Sequence, residues 1–166
     1  LDIYMTNQPG CSYCTDDLFD NQTGCEVSGN NTAGADWLFD STMDGAACST
    51  ANGVYFDGNV KGFQLFIDGV TMSSVSGGLA DSDLDYLELN SSADCNSDGI
   101  TDSGCNLIIG SSFGAAFIPP GTDQILFSVA FTEFDVGVCF TGTDVEATGS
   151  WAPPAFSDTE AKAINV

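Results

Sequence analysis

The stretch Val60-Lys61-Gly62-Phe63-Gln64-Leu65-Phe66-Ile67-Asp68-Gly69-Val70 decides how this chain folds. Phe63, Leu65 and Ile67 fall on one face at a period of two, and Gln64 and Asp68 fall on the other with Phe66 between them. Such alternation marks a half-buried β-strand, because successive side chains of an extended chain point to opposite sides. Asp68-Gly69 is a turn pair and is expected to end the strand. A second run, Gln124 to Thr132, puts Ile125, Phe127, Val129 and Phe131 on one face, and Pro119-Pro120-Gly121 breaks the chain before it. Two apolar strand faces this far apart in sequence bury themselves by closing on each other, which predicts a core between sheets.

Other segments fit around these two. Leu1, Ile3 and Met5 alternate with Asp2, Tyr4 and Thr6 in a first strand. Val70–Val75 precedes a Gly77-Gly78 turn, Leu84–Leu89 and Phe134–Phe140 read as strands, and Asn106–Ile109 with Ser112–Ile118 reads as a strand or a hairpin. Trp151-Ala-Pro-Pro-Ala-Phe156 is not expected inside a sheet, since proline has no N–H to give the ladder. The tail from Asp158 to Val166 has room for one helical turn or a last short strand. About eight or nine short strands without a long helical pattern predict an all-β sandwich.

From Asn7 to Asn59 the periodicity is lost. The expected organisation is one β-sandwich domain over residues 1–166, with 7–59 a cysteine-rich insertion between the first two strands. A loop of this length holds together only if something staples it. Two disulfides among Cys11, Cys14, Cys25 and Cys48 would do so, in a connectivity the sequence leaves open. Trp37 and Phe39 are expected to form a small core there, since large aromatics usually bury.

Charge narrows the function. The 166 residues carry a net charge of −22, with Lys61 and Lys162 the only basic residues and no histidine. Nucleic acid is excluded as a partner, because neutralising phosphate takes Lys or Arg, and anionic membranes are excluded for the same reason. No apolar run approaches the ~20 residues of a membrane span, so no membrane insertion is expected. A hydrophobic share of 43% is ordinary for a folded chain. The acid therefore calls for counter-ions, calcium or high salt, rather than for disorder.

Seven cysteines and the sequons at Asn21, Asn30 and Asn90 point together to an oxidising, extracellular setting. Cys11-x-x-Cys14 has neither a second such pair nor a histidine to complete a zinc site. The chain opens on a strand without a methionine, which fits a processed protein or one module of a longer one. Cys95 and Cys105 are expected to form a third disulfide, which leaves Cys139 over. Flanked by Val138 and Phe140, it reads as a buried thiol, with an intermolecular bridge or a link to the insertion as the alternative.

The order of segments resembles the cohesin-like β-sandwich modules of microbial surface and secreted proteins. What carries the resemblance is a strand like Leu1–Thr6, then V-x-G-F-Q-L-x-I-D-G-V-T-x-x-x-V-S-G-G across Val60–Gly78. F-x-x-x-x-I-P-P-G across Phe113–Gly121 follows, ahead of a long apolar strand. It covers most of residues 1–6 and 60–148, and the insertion at 7–59 departs from it. The resemblance implies a jelly-roll β-sandwich that binds a dockerin, a neighbouring module or glycan, and it transfers no binding residue.

Asp94-Cys95-Asn96-Ser97-Asp98-Gly99-Ile100-Thr101-Asp102 has the spacing of a calcium loop. Oxygen ligands at positions one, three and five (Asp94, Asn96, Asp98) converge on a point once Gly99 allows the sharp turn. The carbonyl of Ile100 and the carboxylate of Asp102 complete the set. It looks like the loops of dockerins and thrombospondin type 3 repeats, except that Cys105 stands where an EF-hand places its bidentate glutamate. A disulfide across Cys95 and Cys105 would preorganise it. The other acidic groups, Asp81/Asp83/Asp85 and Asp16/Asp17/Asp20, read as charged edges or loops, with a metal site as the alternative.

Without histidine, nucleophile–base triads cannot be built. Glu26, Glu88, Glu133, Glu146 and Glu160 single out no acid–base pair. The expectation is a non-enzymatic extracellular structural module, a repeat or subunit of a surface protein, fibre or sheath, stabilised by calcium and disulfides. Its partners would be neighbouring copies or modules. The alternative is a discrete adhesion or carbohydrate-binding module with glycan as partner and Trp37, Tyr55 and Trp151 as its aromatic platform.

Overall fold

The computed structural model describes residues 1–28, 35–91, 93, 105–140, 155–159 and 163–164. In chain order the strands are β1 (Asp2–Met5), β2 (Gly10–Cys14), β3 (Trp37–Asp40), β4 (Val54–Phe56), β5 (Gly62–Ser76), β6 (Tyr86–Asn90), β7 (Asn106–Ser111), β8 (Gln124–Phe140), β9 (Ala155–Ser157) and β10 (Ala163–Ile164). Two six-residue helices, α1 (Gly45–Thr50) and α2 (Gly78–Asp83), and one π-type turn at Gly24–Ser28 interrupt them. The chain is all-β with antiparallel sheets. It divides into two compact units, Leu1–Thr6 with Val60–Val166, and Asn7–Asn59.

In the larger unit the strands run β1-β8-β5-β7-β6, with β9 paired to both β5 and β10. Phe63, Leu65 and Ile67 are buried and Gln64, Phe66 and Asp68 half-buried, as the period of two demands. Asp68-Gly69, however, does not end the strand. The chain bends there and continues to Ser76, because Gly69 takes a positive φ of 83° that permits a bulge. Asp68 pairs with Cys139 and Val70 with Phe134, so residues 135–138 of β8 bulge out opposite Gly69 alone. A Cβ on Gly69 would overlap the Gly137 carbonyl. We expect Gly69→Ala to cost roughly 2 kcal/mol, from the left-handed conformation and the overlap together. Chemical denaturation would show this, and a loss within error of zero would mean that the bend does not depend on glycine.

The bend lets the sheet close on itself. Phe63 stacks on Phe127 with centroids 5.6 Å apart and an interplanar angle of 15°. Ser76 pairs with Ser128 in the ladder, so a straight β5 would hold the two rings roughly 40 Å apart. They meet only because the long strands fold over. Phe63, Leu65, Ile67, Val70, Met72, Ile108, Phe127 and Val129 of these strands are all buried. Gly110 lies opposite Phe63 in the ladder, and any side chain on it would occupy the space of the Phe63 ring.

Several expectations are corrected. The face of Ile125, Phe127, Val129 and Phe131 is broken, since Ile3 pairs with Phe127 and Tyr4 with Ile125. Leu126 is the extra residue of a bulge and turns inward beside Phe127, while Ile125 and Phe131 are exposed. Val70–Val75 is the second half of β5, and Gly77-Gly78 leads into α2. Ser112–Ile118 is a loop with a single bridge, Ile118 to Val60. Phe156 does lie inside a sheet: β9 starts just after the two prolines and is flanked by β5 and β10. The tail contributes a short strand rather than a helical turn.

The smaller unit contains regular structure where the sequence showed no period. Its strands run β3-β2-β4, with Cys11 opposite Asp40 and Tyr55, and Ser12 opposite Phe39 and Val54. The disulfides are Cys11–Cys48 and Cys14–Cys25. Cys11 and Cys14 stand on opposite faces of β2, so each face is stapled once. Trp37 and Phe19 pack on buried Cys14, Cys25 and Ala35. Phe39 does not join that core and is exposed, because it belongs to a different cross-strand row. The Asp44 carboxylate caps α1 by accepting from the Ala46 and Ala47 amides.

Candidate functional site

The proposed calcium ligands Asp94, Asn96, Asp98, Ile100 and Asp102 lie outside the described residues, as do Cys95 and the sequon residue Asn30. The two ends of that segment are described. β6 and β7 form an antiparallel pair, and beyond Asn90–Leu107 the Ala93 amide donates to the Cys105 carbonyl at 3.3 Å. Cys105 is buried and disulfide-bonded. The described residues on either side, Ala93 and Cys105, are thus tied together at the end of the β6–β7 ladder.

The remaining acidic residues do local work. Asp81 lies in α2, not on a strand edge, and accepts from the Gly77 amide. Asp83 accepts from the Ser82 hydroxyl, Asp16 from the Leu18 amide and Asp20 from the Asn21 amide group. No group of three or more such residues suited to a metal occurs among the described residues. Asn21 and Asn90 are exposed, and Asn21 Oδ1 accepts from the Gly24 amide at 2.7 Å.

Trp37 and Tyr55 do not make one platform. Trp37 pairs with Cys14 and Tyr55 with Cys11, which places the two rings on opposite faces of the small sheet. Trp151 lies outside the described residues.

The best-built surface feature is one the sequence reading passed over. Asp85, in the turn between α2 and β6, accepts three hydrogen bonds on Oδ2: from the Ser112 hydroxyl at 2.9 Å, the Phe113 amide at 3.0 Å and the Gly114 amide at 3.2 Å. The Ser112 amide donates to the Lys61 carbonyl, and Val60 and Ile118 exchange two backbone bonds at the far end. The loop is therefore pinned at both ends, and it holds Phe113 out at 80% exposure. Phe113 meets Tyr86 edge-on, with centroids 6.0 Å apart and planes at 60°. In the sequence, Asp85 was one acid among three, and nothing local marks a bond that spans 27 residues.

The Ser112 hydroxyl, then the Phe113 and Gly114 amides, hold the Asp85 carboxyl below its ordinary value, since donors favour the charged form. A depressed folded-state pKa contributes stability above the unfolded value, near pH 4, and that contribution disappears as pH falls through the lower folded value. We expect the Phe113 and Gly114 amide resonances to shift and lose exchange protection in that acid range. The step should vanish in Asp85→Asn. An identical step in the variant would assign the transition to another group. Asp40 is held down in the same sense, chiefly by the Thr42 hydroxyl and amide, and shapes the turn after β3.

Fold and surface define an all-β, disulfide-containing protein, and among the described residues no helix is long and apolar enough to cross a membrane. No family model, curated protein or solved structure matches the chain.

Proposed function

We propose that this chain is a non-catalytic extracellular structural module, a repeat or subunit that associates edge to edge with neighbouring copies or modules in a fibre, sheath or surface layer. The observation that carries the reading concerns the outer strands. Four outer strands present an exposed aromatic: Tyr4 on β1, Tyr86 on β6, Phe39 on β3 and Tyr55 on β4. Proteins that stay apart blunt such edges with Lys, Pro or a covering element, and aromatic edges favour pairing with another chain.

The folding-over of the large sheet, seen in the Phe63–Phe127 stack, supports a cohesin-like jelly-roll sandwich as the fold. Two disulfides and exposed sequons at Asn21 and Asn90 support an oxidising compartment and glycosylation. Calcium enters through the loop from Asp94 to Asp102, flanked by the tied residues Ala93 and Cys105. There it would neutralise part of the −22 charge that otherwise drives copies apart.

Negative-stain electron microscopy of calcium-replete material against a chelated control tests the assembly. Filaments or arrays that loosen on chelation are expected, and dispersed particles in both samples would overturn the structural reading. Asp98→Ala should separately abolish any calcium-induced rise in Tm. A rise equal to wild type would remove calcium from this loop and leave the assembly reading standing.

A further inference from the structure

The Tyr86–Phe113 pair raises a question of its own. A ring at 80% exposure contributes almost nothing to the core, yet three hydrogen bonds to one carboxylate oxygen fix the backbone that carries it. The loop is thus built to place Phe113 rather than to bury it.

Geometry and charge say what the pair would hold. Planes inclined at 60° make two walls of a corner rather than one flat platform, so a sugar ring cannot lie on both at once. A compact cation can meet both, since the negative faces of aromatic rings attract ammonium and guanidinium groups. The surroundings have the same sign. Asp85 adjoins the Phe113 amide, Glu88 is exposed on the Tyr86 side of β6, and Asp83 lies just before them. Lys61 is the one basic residue among the described residues; it is half-buried, and its carbonyl accepts from the Ser112 amide.

We propose that the corner of Tyr86 and Phe113, with the Asp85 carboxylate beside it, receives the arginine or lysine side chain of a basic peptide segment on a partner protein. Lys61 and Lys162, far apart in this sequence, make no basic segment, so a segment on a different protein fits the corner better than a second copy of this sequence. A peptide also fits better than a free small cation, because the corner is open on the surface and gives little enclosure. Among the described residues β6 ends the strand order of its sheet, which offers an extended backbone a place to pair while the corner takes the side chain. This site shares Tyr86 and the outer strand β6 with the assembly reading above, and the peptide titration below can fail without the microscopy failing.

The test is a titration of the isotope-labelled full chain, followed by amide resonances, with acetyl-Gly-Arg-Gly-amide and its citrulline counterpart. The arginine peptide should give saturable shifts confined to Tyr86, Phe113, Gly114 and their β6 neighbours, and the neutral citrulline peptide none. Phe113→Ala removes a side chain that packs on little, so it should fold normally and weaken binding roughly three- to thirtyfold, the range of a cation–π contact. Equal shifts with citrulline, shifts spread over the whole acidic surface, or unchanged binding by Phe113→Ala would each overturn the proposal. Shifts at the corner with cellobiose but not with the arginine peptide would make it a glycan site and overturn it as well.

Discussion

Replacing Cys11 and Cys48 by serine should destabilise the smaller unit by about 4 kcal/mol, because the bond closes a loop 37 residues apart in sequence. The same treatment gives about 3 kcal/mol for Cys14–Cys25, which spans 11 residues. A 53-residue unit whose core among the described residues is Phe19, Trp37, Ala35 and the cystines cannot absorb such losses. Full reduction is therefore expected to unfold Asn7–Asn59 while the Phe63–Phe127 core of the larger unit persists. Hydrogen exchange after mild reduction would report it, through collapse of protection in β2, β3 and β4 with protection kept in β5 and β8. Protection lost everywhere in one step would show that the two units unfold as one.

The second large effect is expected at Asn106. This side chain is 1% exposed, and its Nδ2 donates to the Ile67 carbonyl at 3.1 Å and the Val70 carbonyl at 2.7 Å. Those carbonyls flank the bend at Asp68-Gly69, where the ladder to β8 is interrupted. Asn106→Leu keeps the volume, leaves both acceptors buried without this donor, and should cost about 3 kcal/mol. Asn106→Asp should cost more, because a carboxylate would face two carbonyl oxygens. Urea unfolding with an unchanged slope would give the number. A loss under about 1 kcal/mol would mean that water replaces the amide.

Asn106 also shows what could have been read earlier. It shares parity with Ile108 and Gly110, the inward residues of β7, so a polar side chain on the core face was visible in the sequence. Its acceptors were not, since they belong to a strand almost forty residues away. Asp85 is the same case on the surface. The smaller unit failed differently: Trp37-Leu38-Phe39 and Val54-Tyr55-Phe56 are too short for a period to emerge, and cystines replace most of the apolar face that would have marked them.

The sequence by itself determined the all-β class, the inward face of Phe63, Leu65 and Ile67, and a charge balance with two lysines and no histidine. These follow from local periodicity and composition, which need no partner. Only the tertiary structure decided where β5 bends, which cysteines pair, that Leu126 turns inward, and that Asp85 holds Phe113 beside Tyr86. Each of those depends on groups distant in the chain meeting in space, and a bulge of one residue reverses the face of everything after it.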